Sequence, residues 1–176
     1  MQSVEVIQML YGILAVFVAI MVIYIITVNK VQKLDSRAKD SASEIDTWLW
    51  DDNRALTQLS DSMAELGAPL PEKEKSSRSL ITLGMPASLQ TVIGIELTKT
   101  WQEAEELIKN NEKLSKNETI TALQEKHAKL KIELMKTSNE YNRRAREFNS
   151  AISKFPASWV ASRKGRRSKE FFNGVY

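Results

Sequence analysis

Cysteine is absent from all 176 residues, so disulfide frameworks, thiolate metal sites and thiol catalysis are excluded. Histidine occurs once, at His127. A catalytic dyad built on it lacks obvious helpers, because Glu125 and Glu133 fall on other faces of a helix. The bland reading, a core or half-buried histidine, therefore outweighs a ligand role. Proline (4) and glycine (6) are scarce, and most of them lie between periodic segments. That distribution favours long uninterrupted helices over short strands joined by turns. No Gly-rich phosphate loop, Ser-His-Asp set or dinucleotide fingerprint is present. The Glu103/Glu105/Glu106 run reads as a solvent-facing helix surface and not as a metal cluster. These absences predict a non-enzymatic chain with no cofactor and no metal.

Charge is also missing, over one long stretch. From Val6 to Val28 there is no charged side chain, and Gln8 is the one strongly polar side chain. Twenty-three helical residues rise about 34 Å, enough to cross a hydrocarbon core of about 30 Å. A cleaved secretory signal would carry a basic start, a shorter apolar run and a small-x-small site. Here only Glu5 precedes the run, and Thr27-Val28-Asn29-Lys30 follows it. Residues 6–28 are therefore expected to be a retained transmembrane helix, with residues 1–5 as a short N-terminus outside. Lys30, Lys33, Arg37 and Lys39 follow the span and no Lys or Arg precedes it. The positive-inside rule then places the C-terminal part in the cytoplasm. Asp35 and Asp40 count little in that rule, and Tyr11 and Tyr24 sit inside the span.

Beyond the span, apolar or small residues recur at Val31, Leu34, Ala38, Ala42, Ile45, Leu49, Leu56, Leu59, Met63 and Leu66, mostly three or four apart. They form one stripe on a helix that continues out of the apolar run. The stripe skips at Asp52-Asn53, either a polar layer that fixes helix register or a solvated gap. Gly67 then stops the helix, with Pro69 and Pro71 beyond. Pro71-Glu72-Lys73-Glu74-Lys75 reads as the start of a short helix over 71–83. A second long helix over 87–113 carries Leu89, Ile93, Leu97, Trp101, Ala104 and Ile108 on one face. A third over 118–155 carries Ile120, Leu123, His127, Leu130, Leu134, Tyr141, Ala145, Phe148, Ile152 and Phe155. Pro156 ends it, and Phe155 reads as an aromatic plug. No helix can bury such a stripe alone, so the expected fold is all-α, an antiparallel up-and-down bundle over 29–155. In that order the second helix returns toward the membrane and the third ends far from its surface.

The charge balance runs from −3 over residues 29–66 to +3 over 118–155 and +4 over 156–176. Arg163, Lys164, Arg166, Arg167 and Lys169 crowd the last stretch, beside Trp159 and the pair Phe171-Phe172. Basic residues interleaved with aromatics suit anionic lipid headgroups. A solvated, disordered tail is the alternative. A nucleic-acid role is disfavoured, because no reading motif accompanies the charge.

Two sets of residues carry a family resemblance. Late in the chain stand Tyr141-Asn142, then Phe148-Asn149, Phe155-Pro156, Ala161 and the Phe171-Phe172 pair. Early in it, Ile45-Asp46 and Leu49 follow Asn29, Leu34, Arg37 and Ala42. Together these resemble the signature of the LemA family across nearly the whole chain. A basic pair and an Ile-Pro of that pattern are replaced here by Trp50-Asp51-Asp52-Asn53-Arg54. The Gly-Phe before the last aromatics is replaced by Lys164-Gly165-Arg166-Arg167, so the chain reads as a divergent member. The resemblance implies an anchored helical bundle with an outside N-terminus and a role in bacterial membrane organisation, and it implies no reaction. Asn142 and Asn149 stand about two helical turns apart. They are expected to pin one helix to another, near Asp46. Partners would be other membrane-associated proteins, the bilayer and its anionic lipids, or a second copy of the chain.

Overall fold

The computed structural model describes residues 2–71 and 77–174, and every regular element among them is helical. Helix α1 runs unbroken from Gln2 to Glu65. Its sequence holds no proline and a single glycine, Gly12, so nothing interrupts the hydrogen-bond ladder. Helices α2 (Ala87–Lys109), α3 (Glu112–Ser115), α4 (Glu118–Ile152) and α5 (Ala157–Arg163) follow. The chain divides into two compact units, Met1–Arg37 with Ala145–Lys169, and Ala38–Arg144 with Glu170–Tyr176.

The second unit is built on the stripe of α1. Ile45, Leu49, Leu56, Leu59 and Met63 are fully buried, as are Ile93, Leu97 and Trp101 of α2 and Ile120 and Leu134 of α4. Leu66, the last residue expected on the stripe, is exposed, because α1 has already ended. Its end is a glycine motif: Gly67 has φ +79° and Ala68 N–H reaches back to the Met63 carbonyl at 2.9 Å. A left-handed residue there lets the chain reverse while the last carbonyls stay bonded.

Helix order departs from the up-and-down expectation. The Gln90 side chain donates to the Ala42 carbonyl at 2.9 Å and to Asp46 Oδ1 at 2.6 Å. Ten residues on, Thr100 lines the same cleft as Asn53 and Leu56. Helix α2 thus runs in the same direction as α1. The connection over 67–86 makes this possible, since an extended chain of that length spans up to about 60 Å. Retracing twenty helical residues needs only about 30 Å. Ile81 to Leu83 lie beside Asp46 and Trp50, and Gly84 N–H donates to Asp46 Oδ2 at 2.7 Å. Ile81 to Gly84 are therefore back at the level of Asp46 before α2 begins. A 3₁₀ turn covers Ser77–Leu80, and Arg78 pairs with Glu96 at 3.5 Å. The proposed helix start over Glu72 to Lys75 lies outside the described residues.

Helix α4 runs against both others. Trp48 Nε1 donates to Thr137 Oγ1 at 3.2 Å, and Asp52 meets His127 at 2.7 Å. Helix α2 stops at Lys109, short of the expected 113. Asn111 caps α3 by accepting the Lys113 N–H at 3.0 Å, and Asn117 caps α4 by accepting the Ile120 N–H at 3.1 Å. Asparagine at these positions satisfies N–H groups that lack a helical partner.

In the first unit, α4 ends at Ile152 and not at Phe155. The residue before a proline is pushed out of the helical region, and the Phe155–Pro156 bond is cis. Phe155 is 85% exposed, so it is not the plug expected of it. Residues after Pro156 are not a loose tail. They form α5, whose Val160 and Ala161 are buried. Gly165 at φ +63° closes α5, with Arg166 N–H returning to the Ala161 carbonyl at 2.9 Å. The end of α4 lies beside the end of the apolar run: Ser150, Ala151 and Lys154 share a groove with Thr27, Val31 and Leu34. The expectation that the third long helix ends far from that segment is overturned.

Spin labels test the helix order. A nitroxide pair at Ser43 and Ser88 should lie closer than a pair at Asp61 and Ser88, by roughly 15–20 Å given the rise of the intervening α1 residues. The opposite ranking, measured by electron–electron resonance, would restore the up-and-down order.

Candidate functional site

Three aspartates on the packed side of α1 are buried: Asp35 at 4%, Asp46 at 1% and Asp52 at 5% exposure. A carboxylate removed from water needs compensating donors, and each of the three has a different set.

Asp46 takes the Gly84 N–H and the Gln90 amide described above. Burial pushes its carboxyl above the ordinary range, while the hydrogen bonds from Gln90, Gly84 and Met85 pull it back. Asp52 binds His127 Nδ1 at 2.7 Å, and the imidazole stacks on Trp101 with centroids 4.0 Å apart and planes 12° from parallel. The skip in the stripe is therefore a polar layer inside the bundle and not a solvated gap. His127 does have a carboxylate helper, from another helix, which no spacing along α4 could reveal. The His127 and Asp52 side chains are 12% and 8% exposed. The pair is closed in by packing on the indole and works as an interior layer. Among the described residues no group of three or more acids and histidines gathers that could hold a metal ion.

Asp35 belongs to the first unit and is met by the C-terminal basic stretch. Arg166 Nη1 forms an ion pair with Asp35 Oδ2, and Lys169 Nζ lies 2.8 Å from Asp35 Oδ1. The Lys169 ammonium also sits 5.0 Å from the Phe148 ring centroid, and Phe148 is fully buried. Upstream, Trp159 of α5 meets Tyr24 edge-on at 5.8 Å, and the Arg163 guanidinium lies 4.7 Å over the Trp159 ring. A cation over an aromatic face is attracted by the ring quadrupole. Tyr24 is part of the apolar run, so α5 is seated against that run's last turns.

The motif asparagines hold the C-terminal segment by its backbone. Asn149 Nδ2 donates to the Lys169 carbonyl at 2.9 Å, and its Oδ1 accepts the Lys169 N–H at 2.7 Å. Asn142 does the same with Phe172, at 2.8 and 2.9 Å. A primary amide offers one donor and one acceptor side by side, which matches the two backbone groups of one extended residue. Tyr141 O–H donates to the Glu170 carbonyl at 2.7 Å. Burial, and then the Glu170 charge, push that phenol above its ordinary range, which keeps the donor in place. Asn173 N–H donates to Thr91 Oγ1 at 3.0 Å. The asparagines were expected to reach toward Asp46; their partners are instead Lys169 and Phe172.

Of the family-motif residues, Ile45, Leu49, Tyr141, Phe148 and Ala161 are buried, while Pro156 is half-buried. Of the basic and aromatic residues expected to face an anionic partner, Arg163, Lys164 and Arg167 are exposed. Arg166 and Lys169 are committed to Asp35. Phe172 is 3% exposed and Phe171 39%. Of the five cations, three thus face outward and two meet Asp35. Asp35, Gln90, Thr91 and the partnership of Asp52 with His127 and Trp101 were missed. The available signal was the spacing of Val31, Asp35 and Ala38, which puts the acid on the apolar stripe.

These features define an all-helical protein with a C-terminal segment clasped onto its last long helix. One of its helices is also long and apolar enough to cross a membrane: its most apolar 18-residue window has mean hydropathy 2.8 and none of that window is buried. Residues 91–174 match the model of the LemA family. The matched span holds Tyr141, Asn142, Asn149 and the whole segment they bind. No curated protein and no solved structure matches the chain.

Asp35→Ala removes the carboxylate that Arg166 and Lys169 share in a largely buried site. Unfolding of the full chain in mild detergent should show a loss of about 3–5 kcal/mol. A melting curve equal to the parent's would mean that the pair is only a surface contact.

Proposed function

We propose that this chain is a non-enzymatic, membrane-anchored helical scaffold of LemA type. It crosses the bacterial cytoplasmic membrane once through residues 6–28, with the N-terminus outside and the remainder in the cytoplasm. The observation that carries this reading is the exposure of the apolar run. Large side chains from Val6 to Ile26 are about half to two-thirds exposed, among them Leu10, Phe17 and Ile20. A contiguous apolar surface of that extent is not left in water. Packing begins in the last turns of the run, at Tyr24 and Thr27, and continues from Val31, so one helix serves as both anchor and bundle member. Lys30, Lys33, Arg37 and Lys39 support the orientation.

A scaffold needs a surface for its partners, here other membrane-associated proteins. Support comes from the second unit, where Trp50 is 49% and Leu83 80% exposed around a cleft of about 330 Å³. Arg54 lies 5.6 Å over the Trp50 ring. Aromatic and Arg residues of this kind are enriched at protein interfaces. A second reading, an anionic-lipid-binding module, is favoured by the seat of Trp159 against Tyr24 and by the exposed Arg163, Lys164 and Arg167. Both readings share the anchor.

The topology has a direct test in a chain that lacks cysteine. In spheroplasts, Ser3→Cys should react with an impermeant thiol reagent and Ser115→Cys should be protected until the membrane is opened. The reverse pattern would remove the cytoplasmic assignment and the partner classes that follow from it.

A further inference from the structure

The groove between the end of the apolar run and the end of α4 has a volume of about 760 Å³. Its walls combine two chemistries. Val31, Leu34 and Ala151 give it an apolar floor, and Phe155 stands at its rim with 85% of its surface exposed. Lys30 on one wall and Lys154 on the other are both exposed. Among the described residues neither lysine forms an ion pair, whereas Arg146 and Glu147, which also line the groove, have partners of their own. An exposed phenyl ring beside two uncompensated ammonium groups calls for an occupant that is apolar at one end and anionic at the other.

We propose that this groove seats the headgroup and upper acyl carbons of one anionic glycerophospholipid. This rests on the membrane-anchored reading above. Lys30 comes two residues after the apolar run, so it stands at headgroup level when that run spans the bilayer. Lys154 reaches the same groove from the last turn after α4. Phosphate oxygens between two ammonium groups gain charge-assisted hydrogen bonds. The glycerol and first methylenes would cover Leu34 and Phe155. This seat is separate from the basic C-terminal stretch, whose Arg166 and Lys169 are paired with Asp35. Its exposed Arg163 and Arg167 can add only diffuse attraction.

The test uses the full chain in mild detergent, offered phosphatidylglycerol or phosphatidylcholine and read by native mass spectrometry. The wild type should retain one phosphatidylglycerol per chain in preference to phosphatidylcholine. Lys30→Gln with Lys154→Gln should lower that retention by about tenfold or more, since each cation at a membrane surface contributes several-fold. Arg163→Gln with Arg167→Gln should leave it nearly unchanged. Ser150→Trp, which fills the groove without altering charge, should also abolish retention. Equal retention in the wild type and the lysine double variant would overturn the proposal, as would displacement of the lipid by millimolar glycerol phosphate. Carbonate extraction of membranes from the same strains separates the two claims. Protein that resists extraction but shows no lipid preference keeps its anchor and loses this site. Protein that washes off loses both.

Discussion

A carboxylate taken out of water must find donors or cations, and the packed side of α1 buries three. Much of the fold follows from where they find them. Asp46 fixes the returning connection through the Gly84 N–H and the start of α2 through Gln90. Asp52 fixes α4 through His127. Asp35 fixes the C-terminal stretch through Arg166 and Lys169. An apolar stripe alone would let a neighbouring helix slide by a turn, or pack in either direction, at little cost. An acid that must be met at one level removes that freedom, in the way that a single polar layer sets register in coiled coils. Pairs of this kind give weak net stability and strong selection among arrangements.

The C-terminal segment shows the same logic in neutral form. An asparagine amide that binds both backbone groups of one residue acts as a single rung of a β-ladder set on a helix. Asn142 and Asn149 are seven residues apart, about 10.5 Å on a helix. Lys169 and Phe172 are three apart, about 10 Å in an extended chain. The two spacings agree, so the helix offers rungs at the pitch that the segment needs. This accounts for Tyr141-Asn142 and Phe148-Asn149 as paired motifs. In each pair the aromatic ring is buried while the neighbouring amide reaches the backbone outside.

Much of the helical content was legible in the sequence, because long stripes at three- and four-residue spacing leave few alternatives and Gly67 and Pro156 mark breaks. Helix direction was not legible. Periodicity says which face is buried and nothing about which way the next helix runs, so the connection over 67–86 was read as a short helix between antiparallel neighbours, although Ile81 to Gly84 lie back beside Asp46. The packing of the C-terminal stretch was not legible for a related reason. Five cations in seven positions look solvated when counted along the chain, and only the fold shows that two of them share the Asp35 carboxylate. The partnership of Asp52 with His127 spans 75 residues, beyond the reach of any local pattern. Phe155 fits the stripe by spacing but not in space, because Pro156 unwinds the turn on which it would have faced inward.

The central claim is that the C-terminal segment is a held part of the fold and not a solvated tail. Site-resolved amide hydrogen exchange of the full chain in mild detergent measures it most directly. The account predicts that the Lys169 and Phe172 amides are protected in the parent chain. It further predicts that Asn149→Ala releases Lys169 and Asn142→Ala releases Phe172. Exchange of both amides at the rate of an unstructured peptide in the parent chain would contradict it.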